Sequence, residues 1–318
     1  MPYLQKSSYT NPPFYQFNGH LQTIIPAFRK VKGTTFRRER ISTPDNDFLD
    51  LDWIENNSNR LVVLTHGFEG NSLRPYMLGM AKIFSQNKWD VLSWNCRSCS
   101  GEINLAFKMY NHGNIEDIER VINHAVSFKK YDEIVLVGFS MGGNITLKYA
   151  SLKAHPSVKK AIAFSAPLDM KSSTILLGEK HNWLYRLNFE KKLQPKLEKK
   201  IVQYPDKLSK QDISHKDWEK QLQTYFCKIN GYESLDTFYE IGSALNFIPQ
   251  LKIPALIVQA VNDPLLTPEC IPYELAANHE YIYLEAPQYG GHCGFPLAKD
   301  NEFSWAEYRA LDFALQNF

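Results

Sequence analysis

Gly138-Phe139-Ser140-Met141-Gly142 joins two patterns that demand different backbones. Before it, Ile134-Val-Leu-Val137 is a short β-branched run; after it, Met141, Ile145, Tyr149 and Leu152 recur at helical spacing. A strand that turns into a helix at G-x-S-x-G predicts a nucleophile elbow rather than a serine-containing loop. At so sharp a turn the serine takes strained angles, and side chains at the flanking glycines would strike the neighbouring strand and helix. Ser140 Oγ then stands above the sheet at a helix N-terminus, where free N–H groups favour developing negative charge.

A nucleophile needs a base and an acid. The run 254–260 ends in Val261-Asn262-Asp263-Pro264, which places Asp263 just beyond a strand end, the edge where open α/β sheets build their sites. The run 281–285 is followed by Gly290-Gly291-His292-Cys293-Gly294, so His292 lies on a glycine-rich loop. The order Ser140, Asp263, His292 is the one α/β-hydrolases use. His292 is expected to take the Ser140 proton and return it to the leaving group, with Asp263 fixing the imidazole tautomer. Asp169, after the strand 159–164, competes as the acid; Asp263 is preferred because its strand directly precedes the one carrying His292. After the strand 61–65, His66-Gly-Phe-Glu-Gly70 is a second turn. The amide of Phe68 there is expected to join that of Met141 as an oxyanion hole, with His66 bonding the loop as a structural residue.

Strands are predicted near 61–65, 90–95, 132–137, 159–164, 254–260 and 281–285 with helices between them, the signature of a mostly parallel sheet covered on both faces. Extended runs at 34–41 and 48–54, around Pro44-Asp45-Asn46-Asp47, predict an antiparallel hairpin. Residues 1–30, rich in aromatics and proline, read as an arm packed on the core, and arm and hairpin together occupy 1–58. About 168–252 has helical, lysine-rich character and no strand, and reads as a helical cap inserted into a single domain spanning 1–318. It holds two aromatic-aliphatic clusters, Trp183 to Phe189 and Tyr225 to Tyr239, expected mainly to bury the cap, with a subset lining an apolar pocket. Its lysines from Lys191 to Lys220 read as a solvated face, with a surface for anionic lipid as the sharper alternative.

Composition excludes some classes. A net charge of +2 argues against nucleic-acid binding. Five cysteines without secreted-type spacing point to reduced thiols in the cytoplasm. No apolar run approaches the ~18 residues of a membrane span, and residues 1–8 lack a signal-peptide core, so a soluble chain with room for peripheral lipid contact is expected. Cys96-Arg-Ser-Cys99 has no second ligand pair for zinc and no thioredoxin-like context, and reads as a structural loop. No metal or cofactor is expected.

Asn18-Gly-His-Leu-Gln-Thr23, Asp47 to Trp53, His66 to Gly70, Cys99 to Asn104, Gly138 to Asn144, Asn262-Asp-Pro264 and Gly290 to Phe295 occur in order along nearly the whole chain. In these motifs the chain resembles the YheT-like hydrolases, a branch of the α/β-hydrolase superfamily related to eukaryotic α/β-hydrolase-domain lipases. The resemblance implies an α/β-hydrolase fold, the charge relay Ser140, Asp263 and His292, and hydrolysis of carboxylic esters, with medium-chain acyl esters or lipids as substrates. Two departures, Arg97-Ser98 for Arg-Gly and Asn111-His112 for His-Ser, are expected to reshape the pocket rim. Acyl transfer, thioester or amide cleavage by the same triad, and a non-catalytic binding scaffold, remain the alternatives.

Overall fold

The computed structural model describes residues 7–10, 12–298 and 302–318. Eight strands form one sheet: β1 (Arg37–Ser42), β2 (Phe48–Ile54), β3 (Arg60–Thr65), β4 (Asp90–Asn95), β5 (Glu133–Phe139), β6 (Val158–Phe164), β7 (Ala255–Val258) and β8 (Ile282–Glu285), in the order β1-β2-β4-β3-β5-β6-β7-β8. Strands β3 to β8 run parallel, while β2 is antiparallel to both β1 and β4. The expected hairpin is the β1–β2 pair, with Arg37 opposite Trp53 and Ser42 opposite Phe48. Its polar turn has a partner: the buried guanidinium of Arg97 reaches Asp45 (2.6 Å), Asp47 (3.0 Å) and Asp117 (2.8 Å).

The helices are α1 (Gly19–Ile24), α2 (Pro75–Gln86), α3 (Glu116–Phe128), α4 (Met141–Leu152), α5 (Met170–Gly178), α6 (Trp183–Gln203), α7 (Lys210–Ile213), α8 (Trp218–Leu222), α9 (Leu235–Gly242), α10 (Tyr273–Asn278) and α11 (Trp305–Leu315). Why the central strands read as continuous apolar runs is plain from the packing. Val62 and Leu64 of β3 face α2 and α11, where Met80, Phe84 and Phe313 meet them. Leu61 and Val63 face α3, with Ile118, Val121 and Ile122. With both faces covered, alternation disappears.

The stretch between β6 and β7 carries α5 to α9, a π-helical turn at Gln223–Ile229, and no strand among its residues. Of the two aromatic clusters there, Tyr225, Phe226 and Phe238 are buried together, with Phe226 and Phe238 stacked at 3.6 Å between centroids. The arm packs on the core where it is described: Tyr9 lies edge-on to Phe295 and beside Trp305. Its first six residues and Asn11 lie outside the described residues. Among the described residues, no helix is long and apolar enough to cross a membrane.

Candidate active site

Because β4 lies on one side of β3 and β5 on the other, the chain reverses direction across the sheet between β3 and β5, and a crevice opens at their carboxyl ends. The loop after β3 and the turn after β5 meet there. Ser140 has φ +53° and ψ −124°, a sparsely populated region that costs about 1–3 kcal/mol. The flanking glycines show why the turn is held. A Cβ on Gly138 would lie 2.2 Å from the carbonyl oxygen of Gly142, and one on Gly142 would lie 2.2 Å from that of Thr65. Helix α4 therefore starts hard against β3, and the Ser140 N–H donates across the sheet to Phe164 O at 2.9 Å.

The loop after β8 brings His292 over the serine, with Nε2 2.9 Å from Ser140 Oγ. On the other side of the ring, Nδ1 is 2.9 Å from Asp263 Oδ2 and 3.1 Å from Oδ1. Asp263 is buried and accepts the N–H of Leu265 at 2.9 Å, which orients the carboxylate. Burial by itself would lower the His292 pKa, but the Asp263 carboxylate beside it outweighs this and holds it well above the ordinary imidazole value. Asp169 is elsewhere. It caps α5, accepting the N–H of Ser172 at 2.7 Å, so that competitor is a helix cap.

The amides around Phe68 are nearly all in use. Gly67 N–H donates to the Tyr76 hydroxyl (3.1 Å), Glu69 N–H to the Tyr110 hydroxyl (3.0 Å) and Gly70 N–H to Gly67 O (2.9 Å). Among the described residues, Phe68 N–H has no such acceptor, and Met141, as the first residue of α4, has no helical carbonyl to bond. The loop carrying Phe68 lies close to the serine: a Cβ on Gly67 would lie 3.6 Å from Ser140 Oγ. His66 is fully buried; its Nδ1 meets Gly67 O at 2.7 Å and its Nε2 accepts Cys96 N–H at 3.0 Å. Burial pulls its pKa down to about 4, so it is a neutral brace for the loop.

Several contacts were not legible as site residues. Thr23 Oγ1, from α1, accepts the His292 N–H at 2.8 Å. Gln22 Oε1 accepts both Gly290 N–H (2.7 Å) and Asn262 Nδ2 (2.9 Å), so one buried amide clamps the His292 and Asp263 loops together. The Asn18-to-Thr23 motif was visible, but its partners lie at the far end of the chain. From the segment after β6, Lys196 of α6 reaches Glu69 at 2.8 Å, and Tyr110 donates to the same carboxylate at 2.5 Å.

A cavity of about 1050 Å³ opens over Ser140 and His292, lined by the arm, the Phe68 loop, α6 and the loop after β8. Leu184, Tyr185 and Phe189, from the first aromatic cluster, contribute to its wall. The departures at Ser98 and Asn111-His112 do not line it. Ser98, at φ +64° where glycine is favoured, bonds Asn104 through its hydroxyl (2.6 Å), and His112 stacks behind Phe68 at 5.9 Å between centroids. Cys96 and Cys99 are buried thiols, both pushed up in pKa by burial, in the loop after β4.

Residues 60–298 match the α/β-hydrolase fold family. This chain belongs to that family. YheT of Escherichia coli (strain K12) is 28% identical over 297 residues, covering 87% of this chain and 84% of that protein. The phospholipase ABHD3 of Homo sapiens is 26% identical over 300 residues (89% and 73%), and the monoacylglycerol lipase ABHD2 of Homo sapiens 24% over 344 residues (98% and 80%). Among solved structures, the Pyrococcus furiosus esterase Pf2001 superposes with a TM-score of 0.60 at 18% identity, over 98% of both chains. The protein is thus an α/β hydrolase homologous to esterases and lipases.

Proposed function

We propose that the protein is a serine carboxylic-ester hydrolase that works through an acyl-enzyme. The reading rests on one observation above all, the line Ser140 Oγ, His292, Asp263, each step 2.9 Å at its shortest. In this reading His292 Nε2 takes the hydroxyl proton as Oγ attacks the ester carbonyl, and the amides of Phe68 and Met141 receive the oxyanion. The proton then passes from His292 to the leaving alcohol, and Ser140 holds the acyl group. Water enters, gives a proton to His292 and attacks the acyl carbonyl; Ser140 recovers that proton and the acid departs. Asp263 stays ionised throughout and steadies the imidazolium.

The cavity and the relatives support acyl esters or lipids as the substrate class. Apolar side chains such as Ile24, Ile25, Leu265 and Leu297 line a space large enough for a medium-length acyl chain. Two relatives are named a phospholipase and a monoacylglycerol lipase, which favours acyl esters or lipids. We assign residues about 168–252 as a cap on a single domain, because α6 contributes Leu184 to Lys192 to the cavity wall. A cytoplasmic setting would keep the five thiols reduced.

Hydrolysis of p-nitrophenyl esters from acetate to palmitate, by wild type and Ser140→Ala, tests the reading. A chain-length optimum that vanishes in the variant is expected. Turnover by Ser140→Ala at the wild-type rate would sink it.

A further inference from the structure

The rim of the cavity over Ser140 is unusually apolar for a surface in water. Tyr15, Ile24, Ile25 and Phe28 of the arm and Leu184 of α6 line the cavity and are also exposed, Phe28 at 78%. Beside them, Phe14 (91% exposed) packs edge-on against Tyr15, and Phe17 is 74% exposed. Isolated exposed apolar residues are ordinary, but a cluster at one opening marks a contact surface.

The charged residues lining the same cavity leave one sign over. Of the cavity-lining charged residues, Arg29 is held by Glu307 (3.0 Å), and Glu69 by Lys196. Arg74 donates to a backbone carbonyl, that of Glu69, at 3.0 Å, and Lys192 is a half-buried ammonium. Among the described residues, neither forms an ion pair with a carboxylate. Aromatic and aliphatic side chains flanked by uncompensated cations are what the headgroup layer of an anionic lipid surface accommodates.

We propose that the cavity mouth docks on a lipid surface bearing anionic headgroups, with the Phe14, Tyr15, Phe17 and Phe28 rings entering the interfacial layer and Arg74 and Lys192 facing the phosphates. Its purpose rests on the esterase reading: docking would deliver a water-insoluble ester to Ser140 without crossing water. The basis is continuity of the apolar rim with the cavity, together with charge complementarity. The lysine-rich face of Lys191 to Lys220 contributes Lys192 alone to the cavity wall.

Flotation of the full chain with vesicles of phosphatidylcholine, with and without phosphatidylglycerol, tests this. Wild type and Ser140→Ala are both expected to float with the mixed vesicles, and several-fold less with neutral vesicles or at high ionic strength. Phe14→Ser/Phe17→Ser should partition about tenfold less or weaker still, with an unchanged thermal midpoint and unchanged hydrolysis of a soluble acetate ester. Lys192→Gln should lose part of the preference for anionic vesicles. Wild type that stays unbound with mixed vesicles, or a double variant that floats as well as wild type, overturns the proposal. The two readings fail separately: a chain that floats but hydrolyses nothing keeps the docking face and loses the esterase. A chain that hydrolyses soluble esters but never floats does the reverse.

Discussion

Lys196 places its ammonium 2.8 Å from the carboxylate of Glu69, the residue that follows Phe68. Glu69 has φ +55°, and its N–H and carboxylate both bond the Tyr110 hydroxyl. One ion pair between α6 and the loop after β3 therefore fixes the backbone next to the amide assigned to the oxyanion. The segment that walls the cavity and the loop that would serve the chemistry are one mechanical unit.

Replacing Lys196 by Met leaves the Glu69 carboxylate buried without its cation. Breaking a buried pair from one side costs about 3–5 kcal/mol, and the partial exposure of Lys196 puts the loss at the lower end. Urea unfolding should show it, and Glu69→Gln in the same chain should restore much of the stability. A single variant as stable as wild type would refute this account of the pair.

The two candidate acids can be told apart by the same conservative change. Asp263→Asn should reduce kcat by about 10^4-fold, because the amide no longer holds the imidazole tautomer. Asp169→Asn should keep near-wild-type rates, since asparagine caps a helix about as well as aspartate. The reverse ranking in ester hydrolysis would move the acid to Asp169.

Thr23 lines the cavity beside His292, and its hydroxyl accepts the His292 N–H and donates to Gly19 O at 2.6 Å. Thr23→Val leaves that amide without an acceptor, a penalty of about 1–3 kcal/mol. Loosening of His292 should lower kcat about tenfold at constant KM, and Thr23→Ser should rescue it. Equal losses in both variants would mean that the methyl group, not the hydroxyl, matters.

Rate should depend on pH through His292. The general base must be neutral, and the neighbouring Asp263 carboxylate favours the charged ring, so the folded pKa lies above the ordinary 6.5. Activity should therefore fall as pH drops through a midpoint above 6.5. His66 and His112, lowered by burial to about 4 and about 3, remain neutral over that range and do not blur the limb. A kcat/KM profile flat from neutrality down to pH 5 would contradict the assignment of His292 as base.

The strands of the parallel sheet were readable to within a few residues, as β3 and β4 show, because burial on both faces writes continuous β-branched runs into the chain. β7 ended earlier than its apolar run, at Val258, and the next residue, Gln259, is a buried polar side chain that bonds Ala166 O and Cys270 O. The departures at Ser98 and Asn111-His112 were misplaced at the pocket rim: Ser98 bonds Asn104 and His112 stacks on Phe68 away from the cavity wall, locations no local pattern records.

Ser140, Asp263 and His292 were accessible from sequence because each depends on a few adjacent residues: glycines that permit a sharp turn, and strand ends that put a side chain at the sheet edge. The grip of Gln22 and Thr23 on the His292 loop and the Lys196–Glu69 tie depended on the tertiary structure. Thr23 and His292 are 269 positions apart, and Lys196 and Glu69 are 127. Their contacts arise from how helices settle on a sheet, and chain separation on that scale leaves no periodicity from which to read them.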